Sequence, residues 1–397
     1  MRILTLNCGS SSLKFDLFEA TAATVERVLR GNVERFGTSS KIQLDSEAGI
    51  TTTSTSVRDH AEAFSAVVEL LESSRAVAGI EAVGHRVVHG GSQFQAPTLI
   101  NGDVIEGIEA VSDLAPLHNR PALSAIAAAR SRFASLPMVA TFDTAFYTEM
   151  PEVAAIYALP RAISKELGIR RFGFHGLAHH YMVSRFCALR PELQRPRVIS
   201  LQLGSGCSAT ATVAGRPVDT SMGFTPLEGL IMGTRSGDLD PSLPLFLSRR
   251  LGRNLNEVET MMNSESGLLG LSGISADMRD IVSAAADGNV DATLSVNAFC
   301  YRVRKYVGAY LAALGGGDAL VFGGGIGEHL AEVRQRICSD FAWSGLILDE
   351  EANRIESAEA RCISAPHSEI EAWVIPVDEA RVIADDVVAC LGNRDRS

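Results

Sequence analysis

The sequence predicts an α/β protein built from two related lobes. Two observations carry that prediction. First, residues 4–18 read LTLNCGSSSLKFDLF and residues 199–213 read ISLQLGSGCSATATV. Aligned on Leu6/Leu201, Gly9/Gly204, Ser10/Ser205 and Ser12/Ser208, each shows an alternating apolar strand, a Gly-Ser turn and a second alternating strand. The alignment is gap-free through Ser10/Ser205 and slips by one at the second serine pair. Second, each copy is followed by further strands and then by alternating helix and strand. A Gly-Ser turn lets backbone N–H groups and hydroxyls approach phosphate oxygens, and it also makes ordinary hairpins. The repeat alone leaves both open.

The elements follow in order. Strands are expected near 2–8, 13–19 and 26–33, then a polar excursion of β character over 36–55. A helix over 57–73 is set by Ala63, Phe64, Val67, Val68 and Leu71 at helical spacing. A strand at 80–89, a helix near 119–133 with Asn119 as its cap, and a strand at 137–142 complete the first half. Residues 145–195, with Pro151, Pro160 and Pro191, read as a link between lobes. The second half repeats the plan: strands near 197–203, 207–214 and 216–220, helices from 241 to 314, a strand at 318–322 with a Gly-rich turn, a strand at 372–376 and a final helix over 378–391. Ligands of such folds are expected in the crevice between lobes.

Composition narrows the function. The chain has 397 residues, 46% hydrophobic and 21% charged, which is globular. A formal charge of −11 without a basic cluster argues against nucleic acid. Seven scattered cysteines, without CxxC or a Cys/His cluster, suit a reducing cytosol without structural zinc. The N-terminus enters a strand at once, so a cytoplasmic protein without signal peptide is expected. No apolar run approaches the roughly 18 residues of a bilayer span.

Several runs offer chemistry. VDTSMGFTPLEGLIMGTRSGDLDP, 218–241, is too rich in Gly, Ser and Thr for one helix and too polar for a core strand. It sets Arg235 among small residues near Asp238 and Asp240, where an arginine can be carried into a cleft. In GHRVVHGG, 84–91, alternation puts Arg86 and Val88 on one face and His85, Val87 and His89 on the other. APLHNRP places His118 at a helix entry, and the strand PMVATF ends on Asp143, a place for a carboxylate that meets metal or substrate or caps a helix. His175 lies in RRFGFHG, where a buried structural role competes with a catalytic one. DALVFGGGIGEHL, 318–330, has the strand–glycine–helix pattern that holds nucleotides. Asp277 and Arg279, in GISADMRDI, read equally as surface residues or nucleotide contacts. Arginines, a histidine, carboxylates and two phosphate cradles without GxSxG suit phosphoryl transfer better than acyl transfer.

These motifs, in this order and nearly end to end, resemble the acetokinase family of the acetate and sugar kinase/Hsc70/actin superfamily: NCGSSSLKF, GHRVVHGG, LAPLHN, FDTAF, GFHG, the whole 218–241 run, SGISADMRDI and GGGIGE. The resemblance implies two actin-like, ribonuclease H-like lobes: residues 1–147 with 378–397 on the acyl and phosphate side, and 148–377 on the nucleotide side. It implies a homodimer and reversible, Mg²⁺-dependent (or Mn²⁺-dependent) transfer from ATP to acetate, giving acetyl phosphate and ADP. Arg86, Asp143, His175 and Arg235 correspond to the catalytic set. His118, Ser10, Ser12, Lys14, Gly204, Gly206 and Ser208 correspond to phosphate support, and Val88, Leu117, Phe174 and Pro226 to the acyl pocket. Lys14, Gln202, Leu203, Gly204, Ser205, Gly206, Asp277, Met278, Arg279 and the loop Gly323, Gly324, Gly325, Ile326, Gly327, Glu328 correspond to the nucleotide site, and Asn7 and Glu379 to the metal site. The carboxylate substrate is already a nucleophile at neutral pH, so no general base is required.

The departures are local. FHGLAH stands where the family commonly reads FHGTSH, so Leu177 and Ala178 replace two hydroxyls. QLGSGCS stands for HLGNGSS, which puts Gln202 and Ser205 in the second cradle. A glycine, Gly323 or Gly324, stands where threonine or alanine is usual, His329 replaces asparagine, and Ala380 replaces a second acidic residue. Alternatives are therefore propionate or butyrate as acid, another phosphate donor, or a silent nucleotide-binding regulator.

Overall fold

The computed structural model describes every residue except 10, 22–23, 74–75 and 393–397. The chain forms two compact units, Met1–Thr148 with Asp378–Ser397, and Glu149–Val377. The Pro-containing segment expected to link the lobes therefore belongs, from Glu149 onward, to the second unit. It forms an unanticipated helix, Gly176–Leu189, whose Met182, Val183 and Phe186 are buried.

The first unit is built on strands β1 (Arg2–Gly9), β2 (Ser12–Ala20), β3 (Val25–Glu34), β4 (Gly37–Ser46), β5 (Gly49–Val57), β6 (Ile80–Val87), β7 (Thr98–Leu99) and β8 (Met138–Phe142). Their order in the sheet is β5-β4-β3-β2-β1-β6-β8-β7. β1 is antiparallel to β2 and parallel to β6, which is parallel to β8. One face carries Leu4, Leu6, Leu13 and Phe15 against Phe64, Val67 and Leu71 of helix His60–Ser73. The other carries Ile3, Phe18, Ala82 and Val139 against Ala384 and Val387 of the terminal helix Glu379–Gly392. That helix lies so close that a Cβ on Gly84 would stand 2.5 Å from Ile383 Cγ2 and 2.9 Å from Val387 Cγ2. Glycine at this point of β6 brings the start of the helix beside Arg86.

The second unit has β9 (Arg197–Leu203), β10 (Cys207–Val213), β11 (Arg216–Thr220), β12 (Ala319–Gly323), β13 (Arg361–Cys362) and β14 (Glu371–Val374), ordered β11-β10-β9-β12-β14-β13. The core strands of the two units share one plan: β3-β2-β1-β6-β8 corresponds to β11-β10-β9-β12-β14 in order and in the parallel or antiparallel sense. The slip in the sequence repeat has a physical cause. The first hairpin closes at Gly9↔Ser12, the second at Leu203↔Cys207, a turn one residue longer.

Helix Pro116–Arg132 starts three residues before the expected cap. Pro116 takes its first turn, where a missing N–H costs nothing. Asn119 is not the cap; it is buried inside the helix. Among the described residues no helix is long and apolar enough to cross a membrane.

Candidate active site

In the first unit four polar side chains meet at the C-terminal ends of adjacent strands, where α/β sheets place ligands. Arg86, near the end of β6, is 14% exposed, and Asp143, just past β8, is fully buried. Arg86 Nη2 donates to Asp143 Oδ2 at 2.6 Å, and Nε faces both carboxylate oxygens at 3.2 and 3.3 Å. Nη1 donates to Asn7 Oδ1 at 3.0 Å and lies 3.4 Å from Glu379 Oε2. Asn7 Nδ2 donates to the same Glu379 oxygen at 2.7 Å. Burial opposes the Arg86 charge, and Asp143 and Glu379 outweigh it, so the guanidinium stays protonated. Asp143 opens the short 3-10 turn Asp143–Tyr147, and its carboxylate pairs with Arg86.

Val88 is buried just past β6, and Leu117 is exposed on the first turn of helix Pro116–Arg132, with the half-buried His118 beside it. Asn119 clasps the loop after β6: it accepts from His89 N at 3.0 Å and donates to His89 O at 2.9 Å. Sequence reasoning missed this role because it took Asn119 for a cap. Ser12 is half-buried and Lys14 exposed on β2, with Lys14 opposite Asn7. Ser10 lies outside the described residues.

In the second unit His175, Arg235 and Gly206 converge. His175 precedes helix Gly176–Leu189 with φ 55 and ψ 32, a left-handed conformation uncommon for histidine. Its Nδ1 is 2.9 Å from the hydroxyl of Ser208, which is fully buried. A Cβ on Gly206 would stand 2.6 Å from Arg235 Nη2 and 3.1 Å from His175 Nε2, so glycine leaves the room these two polar groups face. Arg235 Nη1 donates to the Pro226 carbonyl at 2.6 Å. Among the described residues no carboxylate pairs with Arg235, and burial lowers its pKa.

The 221–241 loop is not a solvated surface loop. Glu228 accepts from Arg171 Nη2 at 2.6 Å and from the Tyr157 hydroxyl, which in turn accepts from Phe224 N at 2.8 Å. Asp238 accepts from Gly229 N and from the Tyr306 hydroxyl, each at 2.8 Å. Tyr157, Arg171, Glu228 and Tyr306 thus fix the loop that carries Pro226 and Arg235. No spacing in the sequence links them, since Tyr157 and Glu228 are 71 positions apart. Phe174 is buried and Pro226 half-buried.

The turn after β9 is tied to this loop by Gly233 N donating to Ser205 O at 2.9 Å, and it closes on itself by Gly204 N to Gly206 O at 3.1 Å. Leu203 is buried, and Gln202 Oε1 is buried with no hydrogen-bond partner among the described residues. Gly323 ends β12, and Gly324–His329 is a short helix containing Gly325, Ile326 and Gly327. Glu328 holds its entry by accepting from Gly324 N at 2.8 Å and Val377 N at 3.0 Å. The buried Arg334 donates to the carbonyls of Gly327 and Glu328 at 2.8 and 3.0 Å. Asp277 caps helix Met278–Ala286 and pairs with Arg279, while Met278 is buried.

The sequence matches the acetokinase family model over residues 2–385. The chain belongs to the acetokinase family. An acetate kinase of Solibacter usitatus is 44% identical, covering 98% of each chain. One of Bacillus subtilis is 42% identical, again over 98% of each. The crystal structure of Porphyromonas gingivalis acetate kinase superposes with a TM-score of 0.89 at 38% identity, over 98% of this chain and 99% of that one. A propionate kinase of Francisella tularensis gives 0.90 at 40% identity, over 97% and 98%. The acetokinase fold, two actin-like ATPase-type α/β domains, is therefore that of this chain. Within each unit the family-implied residues fall into compact groups: Asn7, Arg86, Asp143 and Glu379 in the first, His175, Gly206, Ser208 and Arg235 in the second.

Proposed function

We propose that this acetokinase transfers the γ-phosphoryl group of ATP reversibly to acetate, giving acetyl phosphate and ADP. One observation carries the reading: Arg235 is held beside His175 Nε2 with, among the described residues, only the Pro226 carbonyl as its hydrogen-bond partner. A largely desolvated guanidinium without a counter-ion calls for an anionic ligand. A planar phosphoryl in transfer, with charge on its equatorial oxygens, satisfies arginine and histidine donors together.

Arg86 serves the acid. Bringing two anions together is the main obstacle, and Arg86 offers an oriented positive charge fixed by Asp143 and Asn7. The carboxylate oxygen attacks phosphorus in line as the bond from phosphorus to the ADP oxygen breaks, and no proton needs removal. Val88, buried two residues past Arg86, is proposed to meet the methyl group.

The donor set fits Mg²⁺. Asp143 and Glu379 are oxygen donors that both face Arg86, and Mg²⁺ binds through one or two carboxylates plus substrate phosphates rather than an all-protein cage. Glu379 and Asn7 would hold the ion, which neutralises phosphate charge when bound.

A homodimer is proposed on surface grounds. Helix Leu243–Leu251 buries none of its residues, and Leu245, Phe246, Leu251, Leu255, Val290 and Leu294 are exposed on the second unit. A cytoplasmic location is supported by seven cysteines that are all free. The deciding experiment is the hydroxamate assay with ATP, Mg²⁺ and acetate, propionate and butyrate. Acetate should give the highest kcat/KM, and Arg235→Ala should abolish turnover; normal activity in that variant refutes the assignment.

A further inference from the structure

The second unit contains a buried chain of side chains behind His175 that the phosphoryl-transfer reading does not itself use. His175 Nδ1 is 2.9 Å from Ser208 Oγ. Ser208 Oγ is 2.7 Å from His179 Nε2, and His179 Nδ1 is 2.7 Å from Ser200 Oγ. Ser200, Ser208 and His179 are fully buried. The chain joins helix Gly176–Leu189 to the hairpin of β9 and β10: His175 and His179 stand one turn apart, and Ser200 and Ser208 come from the two paired strands.

We infer that Ser200, His179 and Ser208 form a hydrogen-bond relay that fixes the tautomer of His175, so that its Nε2 carries a proton while the imidazole is neutral. The inference rests on His175 facing the transferring phosphoryl group, as proposed above.

The direction of the relay follows from distances. The Ser200 hydroxyl has two acceptors in reach, His179 Nδ1 at 2.7 Å and the Thr210 carbonyl at 3.5 Å. The first is a strong bond and the second is at the limit of one, so Ser200 donates to His179 Nδ1. A neutral histidine that accepts at Nδ1 carries its proton at Nε2. His179 therefore donates to Ser208 Oγ. Ser208 has one hydrogen, and it goes to His175 Nδ1. That leaves His175 protonated at Nε2, the nitrogen beside Arg235 and Gly206. Full burial without a countercharge holds His179 neutral, its pKa pushed down to about 3, so the relay does not change direction over the working pH range.

The consequence is mechanistic. An imidazole of free tautomer would present a lone pair to an anionic phosphoryl group for part of the time. The relay keeps a donor there without requiring imidazolium, so the activity attributable to His175 need not fall as pH rises through the ordinary histidine range. Ser208 thus acts through His175 as a positioning residue rather than by touching phosphate.

The test is NMR on the full-length protein labelled with ¹⁵N-histidine, with His175 assigned by its loss in His175→Gln. Long-range ¹H–¹⁵N correlations at a pH above the histidine range should show the neutral Nε2–H form of His175. Ser208→Ala should convert it to a tautomer mixture and lower kcat on the order of 10²-fold, the value of one transition-state donor, with KM for ATP and acid within a few fold. Ser208→Thr, which keeps the hydroxyl, should restore both. The Nδ1–H form in the wild type, or an unchanged tautomer in Ser208→Ala, overturns the relay. The wild-type spectrum decides even where a variant does not fold. Absence of kinase activity in the wild type would instead count against the proposed reaction and leave the tautomer measurement standing.

Discussion

The Arg86–Asp143 pair should couple strongly enough to be measured apart from catalysis. The perturbation is a double-mutant cycle of Arg86→Ala and Asp143→Ala. Removing one partner of a buried ion pair costs about 3–5 kcal/mol, because the remaining charge is left uncompensated. Asp143→Ala should fall at the lower end, near 3 kcal/mol, because Glu379 at 3.4 Å and Asn7 at 3.0 Å still face the guanidinium. Arg86→Ala should fall at the upper end, near 5 kcal/mol, since the Arg86 charge faces both Asp143 and Glu379. The double variant removes the stranded charge and should be milder than the sum by about 2–3 kcal/mol. The two tryptophans, Trp343 and Trp373, lie in the second unit, so fluorescence would miss the event. Hydrogen exchange of the β1, β6 and β8 amides reads it directly. Additivity within about 0.5 kcal/mol would refute the claim that Asp143 exists to hold Arg86. All three variants should lose kinase activity, so activity alone cannot separate the cases.

Three further predictions concern other parts of the chain. Gly206→Ala should leave the fold intact but displace Arg235 and His175, lowering kcat on the order of 10²-fold; unchanged kinetics would show that these groups do not face the reaction. Burial pushes the pKa of His85 to about 3, His89 to about 4 and His179 to about 3, so between those values and the ordinary 6.5 the unfolded chain binds more protons and stability must fall as pH drops. Urea titrations that show stability flat from neutral pH to pH 5 would contradict this. Asp386, on the terminal helix, carries the opposite sign: burial, opposed by a hydrogen bond with Thr141 and aided by Asp385, pushes its pKa up to about 7, so its contribution is full below the unfolded value of 3.8 and is lost as pH rises through 7. Asp386→Asn should therefore be more stable than the wild type above neutral pH by on the order of 2 kcal/mol, and no gain there would show the carboxylate to be well solvated.

What could be read from the sequence, and what could not, divides along a physical line. The hairpins, the Gly-rich run after β12 and the helix carrying Phe64 and Leu71 announce themselves because alternation, helical spacing and glycine are local in the chain. The cluster around Arg86 was legible only in part. Alternation put Arg86 on a face with Val88, but it did not show that Asn7 and Glu379, 372 positions apart, would share a hydrogen bond. That contact depends on the terminal helix returning to the first sheet, and the helix can approach only because Gly84 has no side chain to stop it. Asn119 was misread for the opposite reason. Its local context matches a cap, but Pro116 had already started the helix, so the amide was free to clasp His89 from within it. The loop network of Tyr157, Arg171 and Glu228, and the relay behind His175, were invisible because neither has a periodicity. Both hold in place a group that faces an anion in the proposed reaction, and the demand on such supporting residues is geometric rather than compositional. Leu177 and Ala178 illustrate the same point. They replace hydroxyls in the family pattern, and both are buried in the helix that carries His179. The hydroxyls beside His175 and His179 come from Ser208 and Ser200 on the strands, so the change of the two helix residues leaves both histidines these partners.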